Sequence, residues 1–185
     1  AVLIPKLSYN EAIELAYYGA SVLHPKTIQP LKSKAIPLYV KSFLDPKKPG
    51  TVVLENASRT LNETQCYIVK ENQSLITIAS KDFSFIVEDN LEIIFNAFNT
   101  AGVQVNLMQN SAISFMACFT ADALKSVKLG ELLSDKFNAD LVEGYTLLTV
   151  FNYNDSNTKL KTIINERIIA LEQKSSSALQ LLLRD

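Results

Sequence analysis

The sequence of 185 residues predicts an α+β fold in which antiparallel sheets carry helices on one face. Three observations predict this class. From residue 66 onward, short apolar runs rich in β-branched and aromatic residues alternate with segments of helical periodicity. The predicted connections between them are short. The element order is βαββαβ followed by a shorter βαββ, which indicates an internal repeat of one ferredoxin-like unit.

Composition excludes several classes of function. Eighteen basic and nineteen acidic residues leave a net charge of −1, so no strong electrostatic surface for nucleic acid or for an acidic membrane is expected. No two of the five glycines lie closer than fourteen positions, which excludes a dinucleotide fingerprint and a Walker-type phosphate loop. The apolar runs fall far short of the roughly 20 residues that span a bilayer. We therefore expect neither a nucleic-acid partner nor a membrane partner.

Residues with distinctive chemistry are few. Cys66, Cys118 and the single histidine, His24, have no zinc-ligand spacing and give no disulfide framework, so we expect no metal site and a cytoplasmic location. His24 precedes a proline and is interpreted as structural, and Cys118 lies within an apolar strand and is interpreted as core. The chain begins at Ala1 within an established pattern, which predicts a piece of a longer protein.

The first 54 residues predict a helix followed by short strands. Ser8-Tyr9-Asn10-Glu11 is a capping box, and Gly19 is placed to end the helix in the left-handed conformation. Strands are predicted at 36–40 and 50–54, on either side of a proline-rich loop. The polar, aperiodic residues 55–65 predict a linker.

The remaining residues supply the repeat. The first unit has a helix ending at Gly102 and a second helix capped by Asp122. The second unit is one strand short, and the extra strand at 66–69 is placed to complete it. The predicted strands are 66–69, 75–79, 103–108, 112–119, 139–142, 145–151, 167–171 and 178–183, and the predicted helices include 91–100 and 158–166.

Two polar segments of the first unit form a candidate binding site. The loop 81–90 runs into a helix N-terminus, whose free N–H groups suit a carboxylate. The strand end 105–111 carries Asn106, Asn110 and Ser111, which offer donors and acceptors. An α-amino acid needs this combination of groups. Ordinary turns are also rich in Asn and Ser, so the residues alone leave a solvated turn as the alternative.

Several motifs resemble aspartate kinase. Residues 8–53 resemble the end of its catalytic domain, through Glu11-Ala12, the run from Glu14 to Pro25, Ile36-Pro37-Leu38 and Pro49-Gly50-Thr51. Residues 73–122 resemble its first ACT domain, with Gln73-Ser74-Leu75-Ile76-Thr77, the run from Val103 to Leu107, and Ser111. Residues 144–183 resemble its second ACT domain, with the run from Gln173 to Ser177 before the last strand.

The resemblance implies a fold and a division into domains. The implied fold is two ferredoxin-like βαββαβ (ACT) domains packed together, preceded by a remnant of the α/β amino-acid kinase domain. The implied boundaries are a kinase-domain end at 1–54, a linker at 55–65, a first ACT domain at 73–143, and a second ACT domain built from 66–71 and 144–185.

The resemblance also implies a function. The family transfers phosphate from ATP, with Mg²⁺, to the β-carboxylate of aspartate, the first step towards lysine, threonine and methionine. The family's catalytic lysine and glycine motifs match nothing in this sequence, so no catalytic residue and no cofactor are expected in the fragment, which should be inactive alone. The implied partners are an amino-acid effector, L-lysine first and L-threonine second, and a second copy in a homodimer formed through the ACT domains.

Six positions match the effector site of lysine-inhibited relatives, which lies between two copies of the first ACT domain. The resemblance places Phe83 near the side-chain pocket, Asn90 and Leu91 on the loop, and Val105, Asn106 and Ser111 on the strand and turn.

The sequence also departs from the family. Relatives often carry an acid at the position of Asn106, and a Gly-Phe-Leu-like loop reads Asp89-Asn90-Leu91 here. A Gly-Ala-Lys motif ends in Ser21, so a role for that position at ATP does not transfer.

Three alternatives remain. A dimerisation module without an effector is slightly favoured by Asn106 and Asp89. A stand-alone metabolite-binding protein is opposed by the kinase-like residues 1–54. An intact enzyme is opposed by the lack of a phosphate loop and of an acid–base cluster.

Overall fold

The computed structural model describes residues 3–20, 23–55, 65–82, 84–153 and 158–184. The chain divides into two compact units. The first unit comprises Ala1–Ile68, Thr149–Asn157 and Ser175–Leu179, and the second comprises Val69–Leu148, Thr158–Lys174 and Gln180–Asp185.

The N-terminal segment of the first unit forms a small α/β layer. In its three-stranded sheet the order is β1-β3-β2, with β1 parallel and β2 antiparallel to β3. Leu7, Tyr9, Leu15 and Val53 are buried together, and Ile28 joins them. The elements are β1 (Lys6–Ser8), α1 (Tyr9–Tyr18), α2 (Pro25–Ser33), β2 (Leu38–Val40) and β3 (Thr51–Leu54).

The predicted caps of α1 are confirmed. The Ser8 Oγ accepts a hydrogen bond from the Glu11 backbone N–H at 3.2 Å, and the Ser8 N–H donates to the Glu11 carboxylate at 2.8 Å. These reciprocal bonds satisfy two backbone donors at the helix start. Gly19 ends the helix with φ +116°, a left-handed conformation that glycine adopts without steric cost.

Helix α2 is absent from the predicted elements. It begins at Pro25, and an interior proline, Pro30, costs it a backbone donor. The exposed His24 is its N-cap, and its Nδ1 accepts a hydrogen bond from the Lys26 N–H at 3.2 Å. This contact gives the histidine the structural role that the sequence indicates.

The remaining strands form one six-stranded sheet of order β5-β6-β4-β7-β9-β8. Its first four strands have the order that a single βαββαβ unit requires, and the second repeat continues the same sheet. The elements are β4 (Cys66–Ser80), α3 (Glu88–Ala101), β5 (Val105–Asn110), β6 (Ser114–Thr120), α4 (Ala123–Leu133), β7 (Phe137–Phe151), α5 (Thr158–Ile164), β8 (Ile168–Lys174) and β9 (Ala178–Arg184). The α+β class and the ferredoxin-like order are therefore confirmed.

Two pairs of predicted strands are each one long strand. The segments 66–69 and 75–79 belong to β4, and 139–142 and 145–151 belong to β7. Asn72 in β4 and Gly144 in β7 have positive φ angles of 56° and 86°. Each residue lies between the two segments that the sequence separates, and both tolerate this conformation, so the strands continue through it.

The six-stranded sheet buries side chains on both faces. Phe115, Ala117 and Phe119 of β6 join a cluster, called here the helix-side core, that includes Ile94 of α3 and Leu129 of α4. The alternate residues Met116 and Cys118 join a second cluster, which contains no residue of α3 or α4. Since successive strand residues point to opposite faces, both helices cover the same face.

The division into domains stays a prediction. Of the predicted linker 55–65, residues 56–64 lie outside the described residues. Within the described part of the chain, no helix is long and apolar enough to cross a membrane.

Candidate functional site

Strand β5 lies at one edge of the six-stranded sheet, and polar groups gather at both of its ends. The structure places five of the six predicted site residues at these two ends: Asn90, Leu91 and Ser111 near the C-terminal end, and Val105 and Asn106 at the N-terminal end. Phe83 lies outside the described residues.

At the C-terminal end of β5, the strand is tied to the loop before α3. The Asn110 Nδ2 donates to the Ile86 carbonyl at 3.2 Å, and the Ile86 N–H donates to the Ala112 carbonyl at 2.9 Å. The sequence places Asn90 on this loop, but it lies in the first turn of α3, and its Nδ2 donates to the Phe85 carbonyl of the loop at 2.8 Å. The structure thus brings together the two polar segments that the sequence paired.

The helix start at this place has no side-chain cap. Val87 is the N-cap and makes no capping bond, while Glu88 and Asp89 lie in the first turn. The free N–H groups of a helix start favour negative charge. These two carboxylates already supply such charge, and a ligand carboxylate would approach beside them.

Three other predicted residues have mixed roles. Leu91 of α3 and Val105, at the start of β5 beside Asn106, both pack against the helix-side core, so they shape the surroundings more than they offer contacts. The Ser111 Oγ lies 2.8 Å from the Ser114 Oγ and accepts from the Ser114 N–H at 3.1 Å, which closes the β5–β6 turn.

Asn106 lies at the other end of β5, on a bulge. Val105 pairs with Phe119 and Leu107 with Cys118, so Asn106 is an extra residue in its strand. A bulge changes the direction of the side chain it carries. Between Asn106 and Asn110 the strand rises by about 13 Å, at roughly 3.3 Å per residue.

A hydrogen-bond network surrounds Asn106. Its Nδ2 donates to the Gln73 Oε1 at 2.8 Å, and its Oδ1 accepts from the Lys70 ammonium at 3.0 Å. The Thr120 Oγ1 lies 3.4 Å from the Asn106 Nδ2 and also 3.4 Å from the Gln73 Nε2. Sequence reasoning gave neither Lys70 nor Gln73 a place at the site, since both lie on β4, more than 30 residues before Asn106.

A cavity of about 240 Å³ opens beside Asn106. Lys125, on the rim, forms an ion pair with Asp122 at 3.8 Å. The lining is mainly polar, and its residues are Gly102, Val103, Gln104, Asn106, Thr120 and Lys125. Such a cavity suits a small polar ligand better than an apolar one.

Two other cavities have different linings. One of about 400 Å³ in the first unit is lined mostly by apolar side chains, among them Leu7, Leu15 and Val53. One of about 390 Å³ is lined by Leu107–Asn110 of β5 and Leu171–Lys174 of β8, the two edge strands of the sheet. Among the described residues, no group of three or more His, Cys, Asp or Glu side chains is placed to hold a metal ion.

The environment of the site perturbs three titratable groups. Burial lowers the pKa of the Lys70 ammonium, and burial raises the pKa of the Cys118 thiol to about 12, despite the nearby Lys70 charge. In the loop before α3, hydrogen bonds from Ser80 and Ser84 lower the pKa of the exposed Asp82 carboxyl to about 2. Asp82 therefore stays ionised in any ordinary buffer.

We expect Cys118 to resist alkylation in the native chain. Because only the thiolate reacts and the pKa is about 12, roughly one thiol in ten thousand is ionised at pH 8, and the side chain is fully buried. In a Cys66→Ser variant, iodoacetamide at pH 8 should leave the native protein unmodified and label one thiol in denaturant, as read by mass spectrometry. Rapid labelling without denaturant would contradict this prediction.

The fold defines a class, which is an α+β module of ferredoxin-like strand order preceded in the chain by a small α/β segment. A protein-family model described as "Amino acid kinase family" matches residues 1–42 of this chain.

Curated relatives specify the family. Aspartokinase 1, chloroplastic, of Arabidopsis thaliana is 33% identical over 129 residues, which are 70% of this chain and 22% of the relative. The bifunctional aspartokinase/homoserine dehydrogenase of Haemophilus influenzae is 29% identical over 77% of this chain and 17% of the relative. The chain is therefore a homologue of the aspartokinases, which are kinases, and it spans about a fifth of the length of these relatives.

Solved structures agree on the fold. Clostridium acetobutylicum aspartate kinase has a TM-score of 0.79 at 22% identity, with 98% of this chain and 45% of that chain covered. E. coli aspartokinase III in complex with lysine and aspartate has a TM-score of 0.75 at 24% identity, with 98% and 43% covered. A putative C-terminal regulatory domain of aspartate kinase from Porphyromonas gingivalis covers 65% of this chain at a TM-score of 0.52 and 11% identity.

Proposed function

We propose that this chain is the regulatory part of an aspartokinase and binds an amino-acid effector between two copies of its first ACT domain. The parent enzyme would phosphorylate L-aspartate with ATP and Mg²⁺, at catalytic residues outside this sequence. The observation that carries the proposal is the junction of the loop before α3 with the β5–β6 turn, at an edge strand.

The topology restricts how two copies could meet. Strand β5 is an edge, so its outer hydrogen-bonding groups can pair with β5 of a second copy. Strand β6 lies between β5 and β4 and has no such edge, so the expected pairing can involve 105–110 but not 114–120. A ligand bound where two β5 strands meet would contact both copies, which links effector binding to dimerisation.

The separation of the two polar places favours an elongated effector. A ligand that reaches both Asn106 and the α3 start must bridge much of the rise along β5. L-lysine, with four methylenes between its α-carbon and its terminal ammonium, is longer than L-threonine. E. coli aspartokinase III has been solved in complex with lysine. We therefore propose L-lysine as the first effector to test.

One observation favours a second candidate function, a dimerisation module that binds no effector. The Asn106 side chain already has internal partners at both its Nδ2 and its Oδ1. Those bonds alone can account for an asparagine at this position.

Calorimetric titration tests the proposal. The 185-residue chain is titrated with L-lysine, then L-threonine, with L-aspartate as the control, and its oligomeric state is followed by sedimentation. Saturable heat with lysine, together with an affinity at least ten-fold weaker in Asn106→Ala and unchanged in the exposed Asn99→Ala, supports the effector site. A folded dimer that gives no heat with any amino acid would support the dimerisation module instead.

A further inference from the structure

A chain of hydrogen bonds fixes the direction in which Asn106 presents its amide oxygen. The Gln73 side chain is 1% exposed, and its Nε2 donates to the backbone carbonyls of Glu71 at 2.9 Å and Asn72 at 3.4 Å. A carbonyl oxygen only accepts hydrogen bonds, so this end of the Gln73 amide must be the NH₂ group. The orientation of Gln73 is thus set by the backbone of β4.

The orientation of Gln73 then determines that of Asn106. The Gln73 Oε1 can only accept, and the Asn106 amide group 2.8 Å away must therefore be its NH₂. The Asn106 Oδ1 consequently points away from Gln73 and can accept a hydrogen bond from another group. The bulge at Asn106 is the backbone feature that places this amide between Gln73 and the adjoining cavity.

Lys70 donates a hydrogen bond to the Asn106 Oδ1. Its ammonium lies 3.0 Å from the Asn106 Oδ1 and is half-buried, and burial lowers its pKa. Among the described residues, ion pairs join Lys48 with Asp45 and Lys125 with Asp122, and no carboxylate lies within 4.0 Å of the Lys70 ammonium. A half-buried ammonium that is held by a neutral oxygen is held weakly compared with one that faces a carboxylate.

We propose that Lys70 is a tethered competitor for a cationic ligand: it occupies the Asn106 acceptor in the free chain and must leave before a ligand ammonium can bind there. This inference rests on the proposed function and adds a specificity-determining residue to it. Two ammonium groups on one amide oxygen would lie within a few ångströms of each other and repel. In the elongated placement proposed above, the α-carboxylate of the ligand lies at the α3 start and its side-chain ammonium reaches Asn106. Lys70 therefore lowers the affinity for L-lysine and leaves ligands without a side-chain ammonium unaffected.

Removal of the tethered ammonium tests the inference. In Lys70→Met, calorimetry should show an affinity for L-lysine at least ten-fold higher than in the parent chain. L-norleucine, a close analogue without the side-chain ammonium, should change less than two-fold. The exposed Lys136→Met is the matched control and should bind both ligands as the parent does. Lys70→Gln, which removes the charge but keeps a donor, serves if the Met variant does not fold, and it should show the same direction.

The outcomes separate the two proposals. If the parent chain binds L-lysine and Lys70→Met binds it equally or more weakly, the tethered competitor is refuted while the effector site stands. If L-lysine and L-norleucine gain equally, the gain is not due to the ammonium, and the inference is also refuted. If neither the parent nor the variants bind any amino acid, the effector site itself fails, and the competitor fails with it.

Discussion

Phe119→Ala is expected to lower the free energy of unfolding by about 3–5 kcal/mol. Phe119 is 1% exposed in the helix-side core, and its ring meets that of Phe98 edge to face, with centroids 6.1 Å apart. Alanine would remove both the buried apolar area and this aromatic contact, and the surrounding helices and sheet would close the void only in part. Urea denaturation followed by circular dichroism measures the loss.

Phe43→Ala is the matched control for this experiment. Phe43 is 96% exposed, so the same chemical change should alter the free energy of unfolding by less than about 0.5 kcal/mol. Equal losses in the two variants would show that the helix-side core does not contribute the stability that its burial implies.

Gly50→Ala is expected to destabilise the chain by about 2–3 kcal/mol through overpacking. A Cβ at Gly50 would lie 2.2 Å from the Val40 carbonyl oxygen and 2.7 Å from the Lys41 Cγ. The side chain of Lys41 can move, but the Val40 carbonyl belongs to the backbone of β2, which pairs with β3 directly after Gly50. The backbone must therefore shift, and the β2–β3 pairing is disturbed.

Gly130→Ala provides a control with the opposite sign. Gly130 lies inside α4, and nothing lies within 4 Å of an added Cβ. Alanine is favoured over glycine in a helix by about 1 kcal/mol, so this variant should unfold at higher urea than the parent chain. A loss of stability at Gly130, or none at Gly50, would contradict the packing described for these glycines.

The sequence predicts most of this fold because its signals are local. The Ser8–Glu11 capping box, the helix ends at Gly19 and Gly102, and the Asp122 cap all lie where the pattern puts them. Helix α2 was not predicted because an interior proline, Pro30, normally opposes a helix, while the burial of Ile28 that favours it is a tertiary effect. The continuity of β4 and β7 likewise depends on pairing with neighbouring strands.

The candidate site was less predictable because its contacts are long-range. The pairing of the loop before α3 with the β5–β6 turn follows from the order of elements, and the sequence anticipates it. The position of Asn106 depends on a bulge whose register is set by Phe119 and Cys118, and on partners from β4. No spacing in the sequence shows that Lys70 reaches the Asn106 oxygen.

The extra residue in β5 also bears on aggregation. Strand β5 reads Val-Asn-Leu-Met-Gln-Asn and has no charged residue or proline, the usual means by which an edge strand avoids unwanted partners. The irregular register at 105–107 makes a poor template for a flat strand, so the bulge protects the start of β5, while the regular residues 107–110 keep the outer groups that can pair with β5 of a second copy. Deleting Asn106 would straighten the edge strand while keeping its apolar side chains. Strands of other chains could then pair with this edge as readily as β5 of a second copy.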